Sequence, residues 1–356
     1  QTLDIAGSSS CSFTVDTCLP AMSKVCVFSS APYVRIALEP LLKEFPGSFH
    51  VDATCSATTA GLCQGASVVC FFVNDDGSRP VLEVFAKHGV KMIAMRCAGY
   101  DRVDLAACAE LGIKVARVPA YSPYAVAEHA LALAMTLNRR LHRCYNRVRE
   151  GNFTLNGLIG MDFHGKTVGI VGTGKIGQIA AHIFHGLGMK VLGYDKFQND
   201  TFKEVGTYVE LDELVKESHV ISLHVPLLDS TRHMINKDLI SKMRTGVILV
   251  NCSRGALVQT EDLIEGLQSG QIGAAGLDVY ENEGALFFQD FSQMQDDDRM
   301  HKWDQLFATL RGFPNVIVTP HSAFLTQEAL ENICATTVQN IQEFQAGSPL
   351  TNEVKA

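Results

Sequence analysis

Two kinds of hydrophobic patterning alternate along the chain. Short runs of apolar and β-branched residues recur at KVCVFSS (24–30), SFHVDAT (48–54), ASVVCFFV (66–73), VKMIAMRCAG (90–99) and IKVARVP (113–119). Between them lie stretches such as VRIALEPLLKEF and PVLEVFAKHG, whose apolar positions follow a helical spacing. Strand–helix alternation of this kind predicts a parallel sheet covered by helices. YSPYAVAEHALALAMTLNRRLHRCYNRVREGNF then reads as one helix of about 25 residues. Ser122 suits its N-cap, Pro123 its first turn, and Gly151 ends it. A second series follows: KTVGIVG (166–172), KVLGYD (190–195), HVISLHVP (219–226), GVILVNCS (246–253), IGAAGLDVYE (272–281) and NVIVTPH (315–321). Ile176, Ile179, Ala180, Ile183, Phe184 and Leu187 form an amphipathic stripe after the first of these. Six such strands predict a doubly wound sheet. A last amphipathic helix, near 326–345, has no strand after it and is expected to fold back on the first domain.

Composition narrows the functional classes. The 356 residues are 47% hydrophobic, enough for two cored domains. Net charge is −8, and no dense Lys/Arg run gives a footprint for nucleic acid or an anionic membrane surface. No apolar stretch approaches the ~20 residues that span a bilayer. The eleven cysteines are scattered without C-x-x-C spacing, which suits reduced, mostly buried thiols. The histidines form no metal signature; His182 and His185 lie one helical turn apart without an evident third ligand. Residues 1–22 are Ser/Thr-rich, lack Lys and Arg, and read as a flexible arm, with Met22 opening the compact part.

The chemistry concentrates in the second series. GIVGTGKIG places Gly172, Gly174 and Gly177 in G-x-G-x-x-G spacing between an apolar strand and an amphipathic helix. Gly172 permits the tight turn, Gly174 lets backbone approach a pyrophosphate, and Gly177 lets helix and strand pack closely. The N–H groups of Lys175 and Ile176 stand at the helix N-terminus, where an anion is favoured. Asp195 ends the next strand; a carboxylate there accepts hydrogen bonds from the adenosine ribose and repels a 2′-phosphate, favouring NAD over NADP. The neighbouring Lys196 softens that preference.

Three strand ends carry unexpected polar residues: Arg254 after GVILVNCS, Glu281 and Glu283 after GAAGLDVY, and His321 after NVIVTP. In an open α/β sheet such ends face one crevice. Arginine grips a carboxylate through a planar fork. Histidine exchanges protons near neutrality. A glutamate bonded to its ring would hold the tautomer and favour the acid form. Beside a nicotinamide, these groups suit interconversion of a 2-oxo acid and a 2-hydroxy acid. The bland alternatives are an internal acid partner for Arg254, a core or capping His321, and a solvated Glu283.

These residues resemble the D-2-hydroxyacid dehydrogenase family, and its fermentative D-lactate dehydrogenases in particular. The likeness is carried by RCAGYDRVDL (96–105), RVPAYSPYAVAEHALALAMTLNRR (117–140), GKTVGIVGTGKIG (165–177), SLHVPLLDSTRHMIN (222–236), VNCSRGALV (250–258), GLDVYENEGALFF (276–288) and TPHSAFLT (319–326). The resemblance implies a flavodoxin-like catalytic domain from residues 23–121 and 320–356 around an NAD-binding Rossmann domain, 122–319. Hinges are then expected near 120 and 320. By position, Arg254 would bind the substrate carboxylate and polarise its carbonyl, and Glu283 would orient His321, the general acid. The loop opened by Cys97, Ala98 and Gly99 would hold the carboxylate, and Tyr121 would face the substrate. Lys175, Ile176, Asp195, Val225, Pro226, Thr231, Cys252, Ser253 and Asp278 match NAD-contacting positions, Asp278 receiving the nicotinamide amide. Glu283 departs from the formate dehydrogenase pattern, which has glutamine. The long stretch between Glu283 and His321 departs from phosphoglycerate dehydrogenases.

The resemblance thus implies an NAD-dependent reduction of pyruvate to D-lactate by a dimer-based oligomer. Phenylpyruvate, glyoxylate and hydroxypyruvate are the alternative substrates. No metal, nucleic acid or membrane partner is expected. A cytoplasmic location is expected, with a chloroplast or mitochondrial matrix as the alternative given the N-terminal arm. A cofactor-sensing interaction protein, like the family's corepressors, is disfavoured by the lack of extended disordered or basic segments.

Overall fold

The structure is a computed structural model, and it describes residues 23–292, 294, 295, 300 and 302–356. The flexible-arm expectation for 1–22 lies outside the described residues. The chain forms two compact units: residues up to Pro119 together with Ile333–Ala356, and Ala120–Asn332.

The first unit holds a parallel sheet of β1 (Val25–Val27), β2 (Phe49–His50), β3 (Val68–Phe71), β4 (Met92–Met95) and β5 (Lys114–Ala116), in the order β2-β1-β3-β4-β5. This is the flavodoxin-like order. β1, β3 and β4 are buried on both faces, as their unbroken apolar runs demand. The far end of the chain covers one face: Cys334, Ile341 and Leu350 pack with Val25, Val68 and Met92. The final helix, Gln327–Gln345, therefore folds back as its unpartnered apolar stripe predicts. The C-terminal tail then pairs with β5.

The second unit holds seven parallel strands: β6 (Thr167–Val171), β7 (Lys190–Tyr194), β8 (Gly206–Tyr208), β9 (Val220–Leu223), β10 (Val247–Asn251), β11 (Ile272–Leu277) and β12 (Val316–Val318). Their order is β12-β11-β10-β9-β6-β7-β8. The first strand thus sits inside the sheet, with the chain winding outward to both sides. All five β10 residues are buried, and each large aliphatic side chain there contributes about 1.5–3 kcal/mol. Because every strand is parallel, all carboxyl ends emerge along one edge.

Two expectations need correction. The sheet has a seventh strand, β8, which is too short and polar to stand out in the sequence. The helix opened by Pro123 is not continuous to Gly151: Pro123–Asn138 is followed by a separate Leu141–Arg149, with Arg140 at a φ of 55° between them. Asn138 causes the break. Its side chain donates to the Met161 carbonyl and accepts from the Met161 N–H, and Gly160 packs against its backbone so tightly that a Cβ would lie 2.4 Å from the Asn138 oxygen. The start matches expectation, with Ser122 Oγ accepting the Ala125 N–H.

Candidate active site

The glycine-rich turn joins β6 to the helix Lys175–Gly186. Gly172 has a φ of 96°, and a Cβ there would stand 2.6 Å from the His224 carbonyl carbon beyond β9. At Gly177 a Cβ would stand 1.9 Å from the Gly172 oxygen, so only glycine lets the helix start this close to the strand. At Gly174 nothing lies within 4 Å, which leaves open space beside the backbone. The N-cap residue is Gly174, with no side chain capping the first N–H groups at Lys175 and Ile176. A diphosphate fits this cradle, since it supplies the acceptors those donors lack. At the end of β7, Asp195 is held ready: Oδ2 accepts the Thr173 N–H at 2.7 Å and Oδ1 the Phe197 N–H at 3.0 Å. The free helix-start N–H donors and the acceptor carboxylate of Asp195 therefore fit a dinucleotide with an unmodified ribose.

Hydrogen bonds tie the next strand ends together. Ser253 Oγ donates to the Val225 carbonyl, joining the ends of β9 and β10. Thr231 Oγ1 donates to the Pro226 carbonyl at 2.7 Å and accepts the Leu228 N–H at 2.8 Å, fixing the loop after β9. Burial, with the nearby Asp278, pushes the Cys252 thiol well above its ordinary range, so it stays protonated.

Arg254 sits three residues beyond β10, on a loop braced by the buried Asn251. The Asn251 side chain donates to the Arg254 carbonyl at 2.9 Å and accepts the Ser253 N–H at 3.0 Å. Arg254 Nη1 donates to the Ser253 carbonyl at 2.8 Å. A Cβ on Gly255 would lie 2.0 Å from the Tyr280 carbonyl carbon, so the Arg254 loop presses directly on the segment carrying the two glutamates. Those glutamates have separate partners. Glu281 meets His233 Nε2 at 2.8 Å and accepts from Thr260 Oγ1 at 2.9 Å. Glu283 Oε1 lies 2.7 Å from His321 Nδ1, while its Oε2 accepts the Tyr280 N–H at 3.0 Å.

Asp278, at the end of β11, anchors the His321 turn. Its backbone carbonyl accepts the His321 N–H at 2.7 Å, and its carboxylate accepts the Ser322 and Ala323 N–H groups, each at 2.9 Å. Thr319 donates to the same carboxylate, and His129 Nε2 lies 3.5 Å away. Burial alone would raise this carboxyl, but the donors more than offset it and hold it below the ordinary range. Three of these four groups reach Oδ1, and only the Ala323 N–H reaches Oδ2.

Of the expected groups, Glu283 and His321 are therefore joined directly, and the Arg254 loop packs on the Glu283 segment. Tyr121 belongs to the same unit and packs edge-to-face on Phe324, with centroids 6.1 Å apart. In the first unit, Ala98 and Gly99 follow β4. The Ala98 carbonyl accepts from Arg117 Nη1 at 2.7 Å, and the Gly99 carbonyl accepts from the Cys97 thiol. Asn251, His129, Thr319 and His233, the partner of Glu281, were not singled out from the sequence. Asn251 left one trace, a carboxamide closing an otherwise apolar strand.

Residues 131–323 match the family described as D-isomer specific 2-hydroxyacid dehydrogenase, NAD binding domain. The chain is 47% identical to a D-lactate dehydrogenase of Escherichia coli over 335 residues, covering 93% of this chain and 99% of that protein. It is 48% identical to a 2-hydroxyacid dehydrogenase homolog of Haemophilus influenzae, with the same coverage. The chain belongs to the D-isomer specific 2-hydroxyacid dehydrogenases. Among solved structures, the pyruvate reductase of Chlamydomonas reinhardtii superposes with a TM-score of 0.89 at 50% identity, covering 94% of this chain and 99% of that one. As in other D-isomer specific 2-hydroxyacid dehydrogenases, the second unit is the NAD-binding domain and the chain is an NAD-dependent oxidoreductase.

Proposed function

We propose that this dehydrogenase reduces pyruvate to D-lactate and runs the reverse reaction. The observation that carries the reading is the Glu283–His321 pair on adjoining strand ends of an NAD-binding sheet, with the Arg254 loop packed against the same segment. Relatives described as D-lactate dehydrogenases and a pyruvate reductase favour pyruvate among the 2-oxo acids.

In this reading Arg254 grips the substrate carboxylate and polarises the carbonyl, helped by backbone N–H groups at Ala98 and Gly99, with Tyr121 against the substrate. NADH, when bound, supplies the hydride. Glu283 holds His321 through Nδ1, which leaves Nε2 to give its proton to the carbonyl oxygen and to recover it in the reverse direction. Lys175, Ile176, Val225, Pro226, Thr231, Cys252 and Ser253 would line the dinucleotide, Asp195 its ribose, and Oδ2 of Asp278 the nicotinamide amide. The working form in this reading is a homodimer. Leu141, Tyr145, Val148, Phe153, Leu155 and Ile159 are all more than half exposed, an apolar surface of the kind a second copy covers.

The test is NADH oxidation with pyruvate, glyoxylate, hydroxypyruvate and phenylpyruvate, followed by chiral analysis of the product. The reading expects the highest kcat/KM with pyruvate and D-lactate as product. A higher value with another 2-oxo acid would reassign the substrate, and L-lactate would contradict the stereochemistry.

A further inference from the structure

Between Glu283 and His321, described residues that the catalytic reading does not use line a cavity of their own. The cavity has a volume of about 430 Å³. Phe287, Phe291, Trp303 and Phe307 line it, together with Lys302 and Arg311. Its size lies in the ordinary range for small-molecule pockets, roughly 300–1,000 Å³, and its mix of rings with few charged groups is typical of them.

The charges favour an anion. Among the described residues neither Lys302 nor Arg311 has a carboxylate partner. Lys302 donates to the neutral Gln289 at 2.9 Å and stands 5.6 Å from the Phe291 ring centroid, and Arg311 stands 5.9 Å from that of Trp303. The acid in the wall, Asp304, already accepts the Tyr280 hydroxyl at 2.8 Å and the Phe307 N–H at 2.9 Å. We infer that this cavity binds a small aryl carboxylate, its ring against the aromatic walls and its carboxylate between Lys302 and Arg311.

The wall also reaches the catalytic pair. Phe307 packs on Tyr280 with centroids 5.0 Å apart, and the Tyr280 N–H holds Glu283. An occupant that shifts Phe307 or Asp304 therefore acts on the group that orients His321. Its effect falls on kcat rather than on KM for the 2-oxo acid. The binding itself does not depend on which 2-oxo acid the enzyme uses.

Trp303 is the only tryptophan in the chain, so intrinsic fluorescence reports on this cavity directly. The full chain is titrated with phenylacetate and, separately, with 2-phenylethylamine, which keeps the ring and reverses the charge. Both titrations are repeated with saturating NAD and oxamate, an isostere of pyruvate. The expected result is a saturable change with phenylacetate, half-complete at about millimolar concentration, as befits a one-ring ligand. The amine gives none, and oxamate does not abolish it. Arg311→Gln and Lys302→Gln each weaken it about tenfold, while their kcat without phenylacetate stays within about twofold of the parent. The inference is overturned by no saturable change, by an equal response to the amine, by unaltered midpoints in both variants, or by loss of the signal in oxamate.

Discussion

His321 adopts a φ of 52°, a left-handed conformation that is uncommon outside glycine. Its N–H bond to the Asp278 carbonyl, the Ser322 and Ala323 bonds to the Asp278 carboxylate, and the Glu283 contact at Nδ1 together hold it there. Strain of about 1–3 kcal/mol at a residue so heavily constrained accords with a functional position. His321→Asn should lower kcat by about 10²–10⁴, the usual worth of a general acid, while NADH binding followed by fluorescence stays unchanged. Arg254→Lys keeps the charge but loses the planar fork, so KM for the 2-oxo acid should rise about tenfold or more with a smaller change in kcat. Steady-state kinetics on the two variants separate the roles, and an unchanged KM in Arg254→Lys would count against carboxylate binding there.

At the scale of elements, two glycines in one turn give opposite tests. Gly177→Ala drives a Cβ into the Gly172 carbonyl, so the helix Lys175–Gly186 must move away from β6. Overpacking of this kind should cost about 1–3 kcal/mol in urea unfolding. Gly174→Ala meets nothing within 4 Å, so stability should hold within about 0.5 kcal/mol while NADH affinity falls sharply. Equal stability loss in both would contradict the cradle. These elements were legible in the sequence because strand, glycine spacing and Asp195 all constrain a single turn. Arg254, Glu283 and His321 stood out because strongly polar groups directly follow apolar strands. The braces were not legible. A polar residue such as Asn251 or His129 looks the same in sequence whether it meets a ligand or holds a loop. The break at Arg139–Arg140 was not legible because the residue beside it, Asn138, is held by Met161, 23 residues further along the chain. β8 escaped because an edge strand needs few apolar residues.

For the molecule as a whole, burial lowers the pKa of His50, His219 and His224, the last to about 4. These rings are disfavoured as cations in the folded chain but charge freely once it unfolds. Stability is therefore intact above pH ~6.5, the ordinary histidine value, and declines as pH falls toward 4. For His224 the loss is on the order of 3 kcal/mol at most, and less to the extent that the residue is only partly buried. Urea midpoints should drop steadily between pH 7 and 5, with a shallower drop in His224→Gln; a flat profile in the parent would contradict this. The exposed apolar surface around Tyr145 and Ile159 predicts a dimer by sedimentation, and Ile159→Asp should shift it toward monomer.

The fold brings seven strand ends to one edge, and in the proposed reading the imidazole of His321, oriented by Glu283, is the proton donor there. The most direct measurement is single-turnover NADH oxidation by pyruvate in the parent chain and in Glu283→Gln, across pH 5 to 9. D-lactate is expected from the parent, and from the variant a rate at least about tenfold lower with an altered pH profile and unchanged NADH affinity. A variant with the parent's rate and pH profile would contradict this assignment.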